Sequence, residues 1–489
     1  MARLPLDDQP PTPISEYGDI KESHPNQRKK TRRRTSLMPS TTRYTAVAAV
    51  YPGGQRLFRG LIRVSMGCFT HICPGGNSKT DDSPIHPGRK GKASASDNIP
   101  LRGVAFTDSK NLKELRLDAP PPMNKLWNKY LDDNLEAMKE AKKLPMAEKQ
   151  AKYQETCQKL YERMVDTEKD KYGDLDTGIT VTELAAERVV RVNEEKTGRD
   201  WTCPTGKVPS PTARGDGSIP IVKYTLAEES TEPSHVVVYY HGGGLLIGDA
   251  VSEQLPCRFI LRHFKGSGIG SVAVYSVDYR LKTNDLADVC VHDSIDAYDH
   301  IRKTHDKAKF YIVGSSSGGE LAAFVAQHVN IKAKAGGKTA KTSGLAGVVL
   351  RSPVTSDVFT SRDFVPDGLR DLHTTANKDF YTDQLGKMTR PVPRDGLKYM
   401  PLEAPKKALE DLPPHWIQIS TNDALYSDGL CYTKLLRDNG SQAALQIVPG
   451  LVHTNWLLTP EWDESYEAEK QMIAGLQWLA GGEALEGWK

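Results

Sequence analysis

The chain has 489 residues, enough for one large domain with extensions or for two or three smaller ones. Its 65 Lys and Arg against 62 Asp and Glu give a formal charge of +3, with six basic residues crowded between Arg28 and Arg34, so the body is near neutral and nucleic acid is not the expected partner. Seven scattered cysteines, an odd number, exclude a disulfide-stapled scaffold, and no run of about 20 apolar residues is present to form an integral membrane segment.

Residues 1–100 are rich in Pro, Gly, Ser, Thr and charge, and they predict a mostly disordered, basic and polar extension. The opening MARLPLDDQPPTP lacks the apolar centre of a secretory signal and carries acids that a mitochondrial transit peptide avoids, so a cytoplasmic location is expected. The run RKKTRRR leaves nuclear import or membrane-surface association as the alternative. Cys68 and Cys73 have no second Cys or His pair at zinc-finger spacing, so no metal is expected.

Residues 115–489 are the predicted folded domain. From 123 to 173, Leu126, Tyr130, Leu135 and Met138 recur at three-to-four-residue spacing and predict a pair of amphipathic helices. Strand-like segments follow at 188–192 and 219–224, and then at 236–240, 272–278, 310–313, 347–351, 415–420 and 445–448. Short β-branched runs separated by helix-length stretches predict an α/β fold, a mostly parallel sheet covered by helices on both faces. The long connection 352–411, with its Pro-rich turns, is expected to join the helices of 123–173 as a cap over the sheet's rim.

Four short motifs carry chemistry. In FYIVGSSSGGELAAF a strand runs through Gly314-Ser315-Ser316-Ser317-Gly318 straight into a helix, the setting in which a sharp turn exposes a nucleophilic serine at a helix N-terminus. About 75 residues earlier, His241-Gly242-Gly243-Gly244 follows another strand, leaving backbone N–H groups unobstructed. Donors of that kind stabilise a tetrahedral oxyanion, each worth roughly 3–4 kcal/mol when removed. Gly243, Gly244 and the amide of Ser317 are the predicted oxyanion hole. Asp423 lies just past the strand HWIQIS and His453 just past LQIV, completing the chain order Ser, Asp, His. Asp428 is the competing acid, placed second because it lies farther from its strand. His453 is the predicted base toward Ser316, oriented by Asp423.

Together these residues resemble the hormone-sensitive-lipase-like carboxylesterase family of the α/β-hydrolase superfamily. The resemblance spans about 185–480 and rests on HGGG at 241–244, VDYRL at 277–281, HDSIDAYDHI at 292–301, GSSSGG at 314–319, NDALYSDG at 422–429 and GLVHTNW at 450–456. It implies a serine esterase acting on a small-molecule ester, with short acyl or acetyl groups favoured and a sterol or secondary metabolite as a fitting alcohol. It also implies a structural corner at Asp278, Tyr279 and Arg280. The chain departs from the family where Leu281 runs into Lys282-Thr283-Asn284-Asp285 and where Ser427 stands four positions after Asp423. The alternatives are an acyltransferase with the same triad and a non-catalytic small-molecule-binding member of the fold. No Walker lysine or dinucleotide glycine register is present, so no cofactor is expected.

Overall fold

The computed structural model describes residues 111–189, 217–228, 232–264, 269–282, 286–358, 361–374 and 396–481. The expected extension 1–100, with Cys68 and Cys73, lies outside the described residues.

Two amphipathic helices open the folded part, α1 (Lys125–Lys143) and α2 (Met146–Thr167). Asn124 caps the first by accepting the Leu126 N–H at 2.8 Å, and Pro145 fixes the break between them. Eight strands follow, β1 (Ile179–Glu187), β2 (Ser218–Leu226), β3 (His235–Tyr240), β4 (Val272–Val277), β5 (Lys309–Ser315), β6 (Leu345–Arg351), β7 (His415–Ser420) and β8 (Ala443–Val448). They form one sheet in the order β1-β2-β4-β3-β5-β6-β7-β8. β2 pairs antiparallel with β1 and β4, and all later pairs are parallel.

The sequence places a strand at 188–192, whereas β1 ends at Glu187, and Arg188 and Val189 lie beyond it. The reason is physical. β1 is an edge strand whose residues are largely exposed, so it lacks the apolar run that marks β3 or β4, in which all six residues are buried.

The remaining long helices are α3 (Gln254–His263), α4 (Ala287–Thr304), α5 (Ser317–Ala335), α6 (Tyr426–Asp438) and α7 (Asp463–Leu479). They divide between the sheet's faces. Val236, Val238 and Tyr240 of β3 share a core with Ile295 of α4, Leu321 of α5 and Tyr432 of α6. The alternate residues Val237 and Tyr239 share the opposite core with Phe259 of α3 and Leu476 of α7. The period of two along β3 thus feeds two cores, each large apolar side chain contributing roughly 1.5–3 kcal/mol by burial. In the insertion 352–411, the described residues form three short 3-10 turns and a one-turn helix, Lys406–Leu409.

Parallel strands place their C-terminal ends along one rim. His241 follows β3, Ser316 follows β5, Asp423 lies three residues past β7 and His453 five past β8.

Candidate active site

Ser316 sits between β5 and α5 with φ 52° and ψ −120°, a backbone conformation that costs a non-glycine residue of order 1–3 kcal/mol. Close packing holds it there. A Cβ at Gly318 would lie 2.0 Å from the Tyr240 carbonyl oxygen and one at Gly314 would lie 2.1 Å from that of Gly318, so the turn accepts only glycine on either side. The Ser316 N–H is tied to the Arg351 carbonyl at 2.8 Å, anchoring the turn to β6.

The structure brings three predicted residues into one hydrogen-bonded line. His453 Nε2 lies 2.8 Å from Ser316 Oγ, and His453 Nδ1 lies 2.8 Å from Asp423 Oδ2. The Asp423 side chain is fully buried and that of His453 is 14% exposed, so the acid is dry while the ring reaches the rim. The second Asp423 oxygen accepts the Leu425 N–H at 2.8 Å. With Nδ1–H donating to the carboxylate, Nε2 is left to accept from the serine hydroxyl, a tautomer assigned from these partners.

The glycine loop after β3 is closed on itself, with the Leu246 and Ile247 N–H groups donating to the Gly243 carbonyl at 3.1 and 3.2 Å. Gly243 has φ 115°, and a Cβ on it would meet the Ile247 carbonyl oxygen at 2.0 Å. Neither the Gly243 nor the Gly244 N–H pairs with another described residue. Ser317 begins α5, where helix N–H groups have no intrahelical acceptor.

His241 stays behind this loop. Its ring stacks on Tyr279 at 4.3 Å between centroids, and Nδ1 lies 2.7 Å from the Gly242 carbonyl. Burial lowers its pKa, so the neutral ring donates Nδ1–H to that carbonyl and polarises the next peptide, whose N–H is Gly243's. Tyr279 donates its hydroxyl to the His241 carbonyl at 2.6 Å. Arg280 makes a two-pronged pair with the buried Asp293, 2.9 Å at both contacts, and Arg188 reaches the same carboxylate at 2.9 Å. The corner at 278–280 therefore braces the glycine loop and locks β4 to α4.

Asp428 is placed elsewhere. It accepts the Thr355 and Ser356 N–H groups at 2.7 and 2.9 Å, the Ser356 hydroxyl at 2.8 Å and His373 Nε2 at 2.7 Å. Sequence reasoning also passed over three supports. Gln150 of α2 holds both the N–H and the carbonyl of Gly248, at 2.7 and 2.9 Å. Asn422 donates to the Pro121 carbonyl at 2.7 Å, while Asn124 donates its N–H to the Gly450 carbonyl at 2.8 Å, so the segment before α1 is stitched to the loops of Asp423 and His453. Glu253 is buried beside Ser315 and Gly242. The Gln150, Gln154, Gln158 spacing is a legible helix face, but Asn422 and Glu253 carry no local signal.

An eight-stranded, mostly parallel sheet with a strained serine turn and a facing histidine at its rim defines an α/β hydrolase. In agreement, a family model described as alpha/beta hydrolase fold matches residues 237–457. The versiconal hemiacetal acetate esterase of Dothistroma septosporum is 25% identical over 281 residues, 54% of this chain and 80% of that one. The carboxylic ester hydrolase LipN of Mycobacterium tuberculosis is 29% identical over 247 residues, 48% of this chain and 61% of its own length. The hyperthermophilic esterase of the archaeon Pyrobaculum calidifontis shares the fold at 22% identity, covering 74% of this chain and 99% of that one with a TM-score of 0.52. The chain has the α/β-hydrolase fold and is a carboxylic ester hydrolase, similar in sequence to the esterases above. No described helix is long and apolar enough to cross a membrane.

Proposed function

We propose that Ser316 is the nucleophile of this ester hydrolase, with His453 as general base and acid and Asp423 as the group that orients the ring. The observation that carries the reading is the continuous line from Ser316 Oγ through His453 to Asp423, 2.8 Å at each step. As the serine oxygen attacks the ester carbonyl, its proton passes to Nε2, and Asp423 stabilises the imidazolium that forms. The carbonyl oxygen takes up the negative charge, and the N–H groups of Gly243, Gly244 and Ser317 face it as donors. Collapse expels the alcohol, which takes the proton from Nε2 and leaves an acyl ester on Ser316. Water then attacks through the same base, releasing the carboxylic acid and restoring the hydroxyl.

The substrate class is a small-molecule ester with a short acyl group, acetyl foremost, and a sterol or secondary metabolite fits as the alcohol. The relatives' names support this, since one is an acetate esterase of a hemiacetal and another an ethyl acetate hydrolase. Residues 123–173 and 352–411 are the cap in this reading, supported by the hold of Gln150 on Gly248. The reading includes a cytoplasmic location, supported among the described residues by Cys157, Cys257 and Cys431 standing as thiols.

Hydrolysis of p-nitrophenyl esters from acetate to dodecanoate, by the wild type and by Ser316→Ala side by side, tests it. The expected profile peaks at short chains and disappears in the variant. Activity that survives the substitution contradicts the assignment.

A further inference from the structure

Pairing between β3 and β5 holds their relative position as far as Tyr240 and Gly314, the last partners in register. Beyond that point the two chains part, one into the glycine loop and the other into the serine turn. The donors of the first must nevertheless keep a fixed spacing from the nucleophile on the second, because an oxyanion is stabilised only by donors already aimed at it.

Beside the bond from the Leu245 N–H to Ser317 Oγ at 3.2 Å, one buried acid spans the gap. Glu253, the residue before α3, is fully buried. One of its oxygens accepts the Gly242 N–H at 2.6 Å and the Ser315 hydroxyl at 2.6 Å, while the other accepts the Tyr239 hydroxyl at 2.5 Å and lies 2.7 Å from Ser315 Oγ. The three partners are one residue before Gly243, one residue before Ser316, and the strand between the two faces of the core. Contacts this short are those of a carboxylate with its donors. Burial pushes the Glu253 pKa up, and the bonds from Ser315, Tyr239 and Gly242 work against that by favouring the charged form. A Cβ on Gly242 would come within 3.1 Å of the carboxylate and 3.2 Å of the Ser315 carbonyl, so the loop has no slack on this side. A buried acid costs several kcal/mol unless its lone pairs are filled, and this one has its lone pairs filled by the two segments whose spacing matters.

We propose that Glu253 is a positioning residue for ester hydrolysis, clamping the glycine loop to the serine turn so that the Gly243 and Gly244 N–H groups face the oxyanion formed at Ser316. The proposal rests on the reading of Ser316 as nucleophile. Glu253 touches neither Ser316 nor its histidine, and it acts through Gly242 and Ser315.

The test is Glu253→Gln in the full chain, compared with the wild type and Ser316→Ala. Glutamine keeps the shape but turns an NH2 toward groups that donate, so one side of the clamp opens. The expected result on p-nitrophenyl acetate is a kcat lower by about tenfold or more with KM within about twofold, and an inhibition constant for a trifluoromethyl ketone that rises in step with the loss of kcat/KM. A purely structural role would lower activity only in proportion to folded protein and leave that inhibitor's affinity unchanged in the folded fraction, which overturns the proposal. A kcat within about twofold of wild type overturns it, as does a rise in kcat, which would mean that the carboxylate's charge opposes the oxyanion more than its bonds help. Hydrolysis that survives Ser316→Ala removes the nucleophile reading and the clamp with it. Inactive Ser316→Ala beside an unimpaired Glu253→Gln removes the clamp alone. Should Glu253→Gln not fold, Ser315→Ala cuts one arm of the clamp, and it must show the same kcat-directed loss in smaller measure or the proposal falls.

Discussion

Two histidine–aspartate pairs lie five residues apart in their acids and differ by a tenth of an ångström in length, yet in the proposed mechanism only one moves a proton. His453 meets Asp423 at 2.8 Å and His373 meets Asp428 at 2.7 Å, and both carboxylates are fully buried. The difference is what lies on the far side. The second nitrogen of His453 faces a serine hydroxyl at the rim, whereas the second nitrogen of His373, Nδ1, is buried without a hydrogen-bond partner among the described residues. Asp423 accepts the Leu425 N–H beside its histidine, and Asp428 accepts the Thr355 and Ser356 N–H groups and the Ser356 hydroxyl. A His–Asp pair becomes a base when its outer nitrogen has a nucleophile to serve; otherwise it is a tie. The second pair ties the turn at 367–374 and the loop after β6 to the start of α6.

Asp423→Asn separates the two pairs most sharply. It should lower kcat by roughly 10⁴-fold with little change in melting temperature, because an amide leaves the histidine in the wrong tautomer while the fold is kept. Asp428→Asn should do the reverse, costing about 2–4 kcal/mol of stability by setting an NH2 against two of its four donors, with kcat per folded molecule nearly unchanged. Denaturant melts and steady-state kinetics on both variants check the ranking, and equal kinetic losses would dissolve the distinction.

A smaller effect concerns a third histidine. His415 at the start of β7 is fully buried, donates Nδ1–H to the Pro413 carbonyl at 2.8 Å and leaves Nε2 without a partner among the described residues. Burial lowers its pKa from 6.5 to about 4. A folded pKa below the unfolded one means that the unfolded chain takes up the proton first as pH falls. Stability is therefore full above pH 6.5 and is lost progressively down to about 4, by about 3 kcal/mol from this group. Urea melts from pH 7.5 to 4.5 should show that slope, and His415→Gln should flatten part of it; an unchanged slope would assign the loss to other groups.

The order of motifs along the chain made most of this fold and site readable, because each of Ser316, Asp423 and His453 follows a strand whose apolar run is unmistakable. The choice of Asp423 over Asp428 was legible only as distance from a strand end, and the structure places it facing His453 for that same reason. What the sequence hid has two physical causes. An edge strand such as β1 is exposed on most residues and sends no burial signal, so its ends were misplaced. Glu253, Asn422 and His373 act through partners 11 to 301 residues away, where no local pattern records the contact.

The central claim is that Ser316 is the residue that becomes acylated. Reaction of the folded protein with a fluorophosphonate, followed by proteolysis and mass spectrometry, tests it directly. One adduct, mapped to Ser316 within the peptide that also holds Ser315 and Ser317 and absent from Ser316→Ala, is the predicted result. An adduct on a neighbouring serine, or labelling that persists in the variant, would contradict it.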